Sequence, residues 1–109
     1  MSNILIEEEE SVEWVIPHLF HESTKTYILE LIIRHRETGL TPQEIADLVN
    51  KKTPKDVVRS TVYKHLETLK TNEVIHKTGE PHTRGVWKPV IADTKPSHII
   101  QSIIQTYDL

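Results

Sequence analysis

Residues 59–69 read RSTVYKHLETL, and the prediction of the fold starts from this segment. Apolar side chains recur at helical spacing through it and just before it: Val58, Val62, Leu66 and Leu69. Such a stripe predicts an amphipathic helix that turns these residues to a core and runs to about Lys70. The sequence allows two starting points for this helix. The helix begins with the Thr53-Pro54-Lys55-Asp56 segment, or residues 54–58 form a separate turn and Ser60 is the N-cap.

The outward face of this helix supplies candidate contacts to nucleic acid. A helix that enters a DNA groove reads bases with residues near its N-terminal end. That rule selects Arg59, Ser60, Thr61, Tyr63 and Lys64. Lys64 suits guanine or a phosphate, the Ser60 and Thr61 hydroxyls suit a base edge or the backbone, and the Thr61 methyl group suits thymine.

Two more helices are predicted upstream. Ser23 is the expected N-cap of a helix that runs to Thr38, with Gly39 just past its end. Thr41-Pro42-Gln43-Glu44 is a capping box, and it starts a second helix that fades near Asn50. The first helix has more apolar residues than one core-facing stripe needs, so it requires a second partner, either the N-terminal arm or another subunit.

A β-hairpin and a final helix are predicted downstream. Residues 74–78 and 86–91 are the strands, and the loop between them contains two glycines and a proline. Ser97 is expected to cap the last helix, which has apolar residues on one side: Ile99, Ile100, Ile103, Ile104 and Tyr107. The chain is therefore expected to be mainly α with a small hairpin, a winged helix-turn-helix with an extra C-terminal helix.

The predicted wing carries a second group of candidate DNA contacts. Wings meet the phosphate backbone or the minor groove, where basic side chains are favoured. The candidates on the strands and the loop are Lys77, His82, Thr83, Arg84 and Lys88.

The sequence divides into three segments. Residues 1–22 form an acidic and apolar arm, expected to be a strand or short helix that packs on the domain. Residues 23–91 form the winged-helix domain. Residues 92–109 form the C-terminal helix, a candidate dimerisation element with Ile100 and Ile103 in or near the contact.

Charge is distributed unevenly along the chain, although its net value is only -3. Residues 1–50 hold three bases against ten acids, whereas residues 51–88 hold nine bases against four acids. A basic third in an acidic chain predicts one surface that faces nucleic acid.

Several classes of function are not expected. The chain has no cysteine, and no glycine-rich phosphate loop or nucleophile elbow was found, so no enzyme activity, cofactor or small-molecule substrate is predicted. His18-x-x-His21 has a spacing suited to zinc, but no third ligand stands at a matching distance, so no metal site is predicted. Neither a leader nor a membrane-spanning segment is recognised, and the expected location is the cytoplasm.

The quoted stretch, followed by Val74-Ile75, resembles the recognition helix of winged-helix repressors. It is most similar to the Thr-Val-Tyr-Arg-x-Leu-x-x-Leu pattern of the ferric uptake regulator family, with Lys64 where that family has arginine. The resemblance covers roughly residues 23–91. It implies that Tyr63 and Lys64 face DNA and that the aliphatic residues of the pattern are core. That family's metal-binding dimerisation domain, rich in histidine and carboxylates, has no counterpart in the sequence.

The expected function is that of a sequence-specific regulator of transcription, a repressor in the families that it resembles. It would bind duplex DNA as a homodimer, with the third helix in the major groove and the wing on the backbone or minor groove. The alternative is a winged-helix module that binds proteins in a transcription or replication assembly, which the acidic arm and excess apolar surface would also fit.

Overall fold

The computed structural model describes residues 13–79 and 85–109, and the elements within these ranges follow the winged-helix order. The helices are α1 (Ile16–Leu19), α2 (Thr24–Arg34), α3 (Pro42–Lys52), α4 (Arg59–Thr71) and α5 (Lys95–Tyr107). Strands β1 (Ile75–Thr78) and β2 (Val86–Pro89) lie between α4 and α5. The predicted mainly α class, with one hairpin and an extra C-terminal helix, is confirmed. Within the same ranges, no helix is long and apolar enough to cross a bilayer.

Helix α2 is the central element, because every side chain from Thr26 to Ile33 is buried. Ser23 is its N-cap, as predicted, and forms a capping box with Thr26. The helix ends at Arg34, four residues before the predicted end. The chain then turns through Gly39, whose φ of +77° places it in the left-handed region that glycine tolerates. The amide of Gly39 donates to the carbonyl of His35 at 2.7 Å and closes this turn.

The N-terminal arm covers the second apolar surface of α2. Ile16 is fully buried in the core, and the Trp14 ring packs edge-on against Tyr27 with centroids 4.7 Å apart. The predicted partners for this surface were the N-terminal arm and another subunit. Within one chain, the arm covers it. Of the two predicted conformations, residues 16–19 adopt the short helix, and Pro17 lies in its first turn, where no amide donor is needed.

Helix α3 begins as its sequence predicts. The Thr41 hydroxyl accepts from the Glu44 amide at 3.2 Å, and the Glu44 carboxylate accepts from the Thr41 amide at 2.9 Å. The helix extends to Lys52, two residues beyond the predicted end. Its buried face includes Ile45 and Val49, which pack in the same core as α2.

Helix α5 packs on the core and is capped differently from the prediction. Thr94 is the N-cap, and its hydroxyl accepts from the Ser97 amide at 3.3 Å. Ser97 is instead fully buried in the first turn, where its hydroxyl donates to the Val90 carbonyl at 2.7 Å. Ile100 and Ile103 are buried in the core of the single chain.

The wing is a two-stranded hairpin, and Leu40 in the turn before α3 adds an isolated β-bridge to it. β1 and β2 pair antiparallel with Ile75 opposite Pro89 and Lys77 opposite Trp87. On its other edge, Trp87 exchanges both backbone hydrogen bonds with Leu40, at 2.8 and 3.2 Å. The Trp87 side chain is buried, so the hairpin is held to the helical core at this residue.

Candidate nucleic-acid interface

The turn between α3 and α4 fixes where α4 begins. The Asn50 side chain accepts from the Val57 amide at 2.7 Å and donates to the Val57 carbonyl at 2.8 Å. Val57 is only 7% exposed, so its side chain anchors the turn in the core. This clamp was missed in the sequence, where the only indication was an asparagine, a residue that favours turns, near the end of a helix.

Of the two predicted starts of α4, the second is confirmed in that residues 54–58 lie outside any helix. Thr53 ends α3 and does not begin another helix, because its hydroxyl donates to the Val49 carbonyl at 2.7 Å. α4 begins at Arg59 with Val58 in the N-cap position, so Ser60 is not the cap. Val58 was expected in the core but is 58% exposed, and its neighbour Val57 takes the core contact.

The rest of the predicted stripe is buried, which sets the direction of the outward face. Val62, Leu66 and Leu69 all pack in the core. Arg59, Ser60, Tyr63 and Lys64 are exposed, and Thr61 is half-buried. Four of the five predicted contact residues of α4 are therefore exposed near the helix start.

The electrostatics of this surface favour a polyanion. Residues 59–66 include Arg59 and Lys64 and no acid, and the positive end of the helix dipole lies at the same end. Glu67 is exposed one turn after Lys64. Burial, together with the charges of Lys25 and Lys64, lowers the pKa of His65. That imidazole is neutral at pH 7, so the positive charge of the surface comes from arginine and lysine.

The wing residues have different surroundings. Lys77 is exposed on β1, and its methylene chain crosses Gly85 so closely that a Cβ there would lie 2.2 Å from Lys77 Cε. Lys88 is half-buried, and its Nζ donates to the Glu37 carbonyl at 3.1 Å, in the turn after α2. Lys77 thus packs across Gly85, whereas the Lys88 ammonium is bonded to the turn after α2. His82, Thr83 and Arg84 lie outside the described residues.

Metal ligation has no visible basis in the described part of the chain. Across residues 13–79 and 85–109, no three histidine, aspartate or glutamate side chains lie close enough together to hold an ion. His98 pairs with Asp93 at 2.8 Å, but both side chains are largely exposed.

Comparisons with known proteins bear on the fold. No protein-family model matches the sequence, and no curated protein matches it. Among solved structures, the chain is similar to a ferric uptake regulator from Francisella tularensis with iron, with a TM-score of 0.57 and 12% identity over 79% of this chain and 78% of that one. It is also similar to a mutant of S. aureus MepR, with a TM-score of 0.56 and 16% identity over 99% of this chain and 74% of that one.

Likeness at such low identity establishes the fold and nothing narrower. Within the described residues, α2, α3 and α4 are followed by the β1–β2 hairpin, and Leu40 between α2 and α3 forms a β-bridge with the hairpin. The chain therefore has the winged helix-turn-helix fold that its sequence predicted.

Proposed function

We propose that this protein is a sequence-specific, duplex-DNA-binding regulator of transcription that acts as a homodimer. α4 enters the major groove, and the wing lies on the phosphate backbone or the minor groove. The observation that carries the proposal is the outward surface of α4. Its first two turns present Arg59, Ser60, Tyr63 and Lys64 to solvent, while three aliphatic side chains fix the helix from behind. The likeness to a ferric uptake regulator supports a regulatory role.

The chemistry of that surface suits DNA in two ways. Arginine and lysine donate to phosphate oxygens and to the acceptors of guanine, while hydroxyl groups donate to or accept from either base edge or backbone. The helix is also preorganised, because the Asn50 clamp and the buried face of α4 hold it in one orientation. A preorganised surface loses little conformational entropy on binding.

Titration of the full chain with a fluorescent random duplex tests the proposal. Binding should weaken steeply as salt rises from about 50 to 200 mM, because cationic side chains displace counterions from phosphates. A selected duplex should bind at least about 1000-fold more tightly than the random one. No binding to any duplex would contradict the proposal and favour the protein-binding module.

Lys64→Ala is expected to weaken binding to the selected duplex by about tenfold, or ~1.4 kcal/mol. If Lys64 reads a base, the preference at one position of the site is relaxed. If it meets a phosphate, affinity falls equally on all duplexes, and the slope of log affinity against log salt decreases by about 0.9. Lys70→Ala is the matched control, since it removes the same charge from the last turn of the same helix. Equal losses in the two variants would contradict the role of Lys64.

Dimerisation is supported by an apolar groove between the arm and α5. Leu19, Phe20 and Ile99 are about half exposed or more, and all three line this groove. On α5, Ile99 is therefore the isoleucine available for a dimer contact, because Ile100 and Ile103 are already buried. A groove beside protruding apolar side chains suits an isologous contact, in which Phe20 of each copy packs on the other.

Phe20→Asp is expected to convert a dimer to a monomer at tens of micromolar, as measured by light scattering after size exclusion. Phe20 is 61% exposed, so the change spares the core, and in a twofold dimer it acts twice. Loss of two buried phenyl contacts corresponds to about 3 kcal/mol or more, a dissociation constant at least about 100-fold higher. Ile91→Asp is the control, because Ile91 is equally exposed but does not line the groove. A monomeric wild-type chain would refute the dimer.

A further inference from the structure

Val58 is an exposed aliphatic side chain that the fold does not need. It lies directly before α4 with 58% of its surface exposed, while Val57 makes the core contact of this turn at 7% exposure. The Asn50 clamp holds the backbone of Val57 and makes no contact with the Val58 side chain among those described. An apolar side chain at position 58 therefore contributes little to folding.

The position also favours a polar residue. Val58 has the extended backbone of an N-cap, with φ −101° and ψ 162°. At this conformation a serine or threonine hydroxyl accepts from an amide of the first turn and stabilises the helix. Ser23, Thr41 and Thr94 do this for α2, α3 and α5. Valine has no oxygen to accept such a bond, so helix stability alone would select against it.

The location of Val58 gives the side chain a use. It stands at the end of α4 that carries Arg59 and Ser60, the end that enters the major groove in the proposed function. The apolar group that standard bases present in that groove is the C5 methyl of thymine. We propose that Val58 is a specificity-determining residue that reads thymine through this methyl group, an assignment that rests on the proposed DNA-binding function.

Val58 replaces Thr61 in this role. The sequence suggested the Thr61 methyl group as the thymine contact, but Thr61 is half-buried, and its amide donates to the Val58 carbonyl at 3.0 Å. Val58 lies one turn nearer the tip and is the more exposed of the two. The polar neighbours Arg59, Ser60 and Lys64 read acceptors and phosphates, so Val58 adds the apolar part of the readout.

Replacement of thymine by uracil tests the assignment, because uracil lacks only the methyl group and keeps every hydrogen-bonding atom of the base. A duplex site is first selected from a random library with the full chain, and each thymine in it is then replaced singly. We expect one position in each half-site at which uracil weakens wild-type binding by about fourfold, the effect of one buried methyl group. Val58→Ser should bind the thymine and uracil duplexes equally at that position and respond normally elsewhere.

Two measurements keep the result separate from folding. Val58→Ser restores an N-cap, so its thermal midpoint should rise by about 4 °C, and lost discrimination cannot be ascribed to unfolding. Val58→Thr supplies the hydroxyl and keeps one methyl group, so it should retain preference for thymine. Identical uracil profiles for wild type and Val58→Ser would overturn the assignment while DNA binding stands. Failure of the wild-type chain to bind any duplex would overturn the proposed function and the assignment together.

Discussion

Replacing Glu30 with alanine is expected to lower the free energy of unfolding by about 3 kcal/mol. Glu30 is completely buried in α2, yet its carboxylate is fully engaged. One oxygen accepts from the amides of Val15 and Ile16 at 2.8 and 2.6 Å, and the other accepts from Arg34 at 2.7–2.8 Å. The substitution leaves two amides and a guanidinium without these partners. Leaving buried donors unpaired lowers the free energy of unfolding by more than their hydrogen bonds to the carboxylate had added to it. Urea unfolding followed by circular dichroism measures the loss.

A conservative variant distinguishes the hydrogen bonds from the charge. Glu30→Gln keeps an oxygen for the two amides but loses the ion pair with Arg34, so about half of the loss should remain. Glu37→Ala is the control, because loss of this exposed side chain should change the free energy of unfolding by less than about 0.5 kcal/mol. In Glu30→Ala the arm should detach, and Trp14 fluorescence should shift to longer wavelength as its contact with Tyr27 opens. Unchanged stability would mean that Glu30 does not anchor the arm.

The helix starts that could be predicted are those decided by a few consecutive residues. A capping box needs only an N-cap hydroxyl and a side chain three residues later, and both Ser23 and Thr41 meet that condition. The buried face of α4 was equally predictable, since Val62, Leu66 and Leu69 follow from the period of the helix. These features depend only on residues that lie close together in the sequence.

The features that stayed open or were predicted wrongly depend on contacts outside the local helical pattern. Thr53-Pro54 has the same local pattern as Thr41-Pro42, yet Thr53 ends a helix, because the Asn50 clamp on Val57 keeps residues 53–58 as a turn. Ser97 has the composition of a cap, but packing of α5 against the chain after β2 buries its hydroxyl. Local chemistry was compatible with both outcomes in each case, and tertiary packing decided between them.

The candidate site likewise has some features that could be predicted and others that could not. The exposed residues of α4 were predicted from periodicity, but the stripe was extended one residue too far, to Val58. The angular rule holds only inside the helix, and Val58 precedes it. The wing strands were also predicted, whereas the engagement of Lys88 with Glu37 joins residues 51 positions apart and has no trace in the local sequence.

Trp87→Ala is expected to lower the free energy of unfolding by about 4 kcal/mol and to loosen the wing. Trp87 is buried in the core, stands opposite Lys77 in the pairing of β2 with β1, and exchanges both of its backbone hydrogen bonds with Leu40. Loss of the indole leaves a cavity where the hairpin meets both the core and the turn before α3. The urea midpoint should fall by about 2 M, given ~2 kcal/mol per molar for a domain of this size. Affinity for the selected duplex should fall as well, because the wing loses its fixed position.

Trp87→Phe separates the volume of the ring from its polar atom. The indole Nε1 is buried and has no hydrogen-bond partner among residues 13–79 and 85–109. Phenylalanine removes this unpaired donor, and that gain offsets part of the lost packing. The variant should therefore lose less than about 1.5 kcal/mol and retain DNA affinity. A loss as large as that of Trp87→Ala would show that the Nε1 group is bonded in solution, and an alanine variant of near wild-type stability would show that the wing is anchored elsewhere.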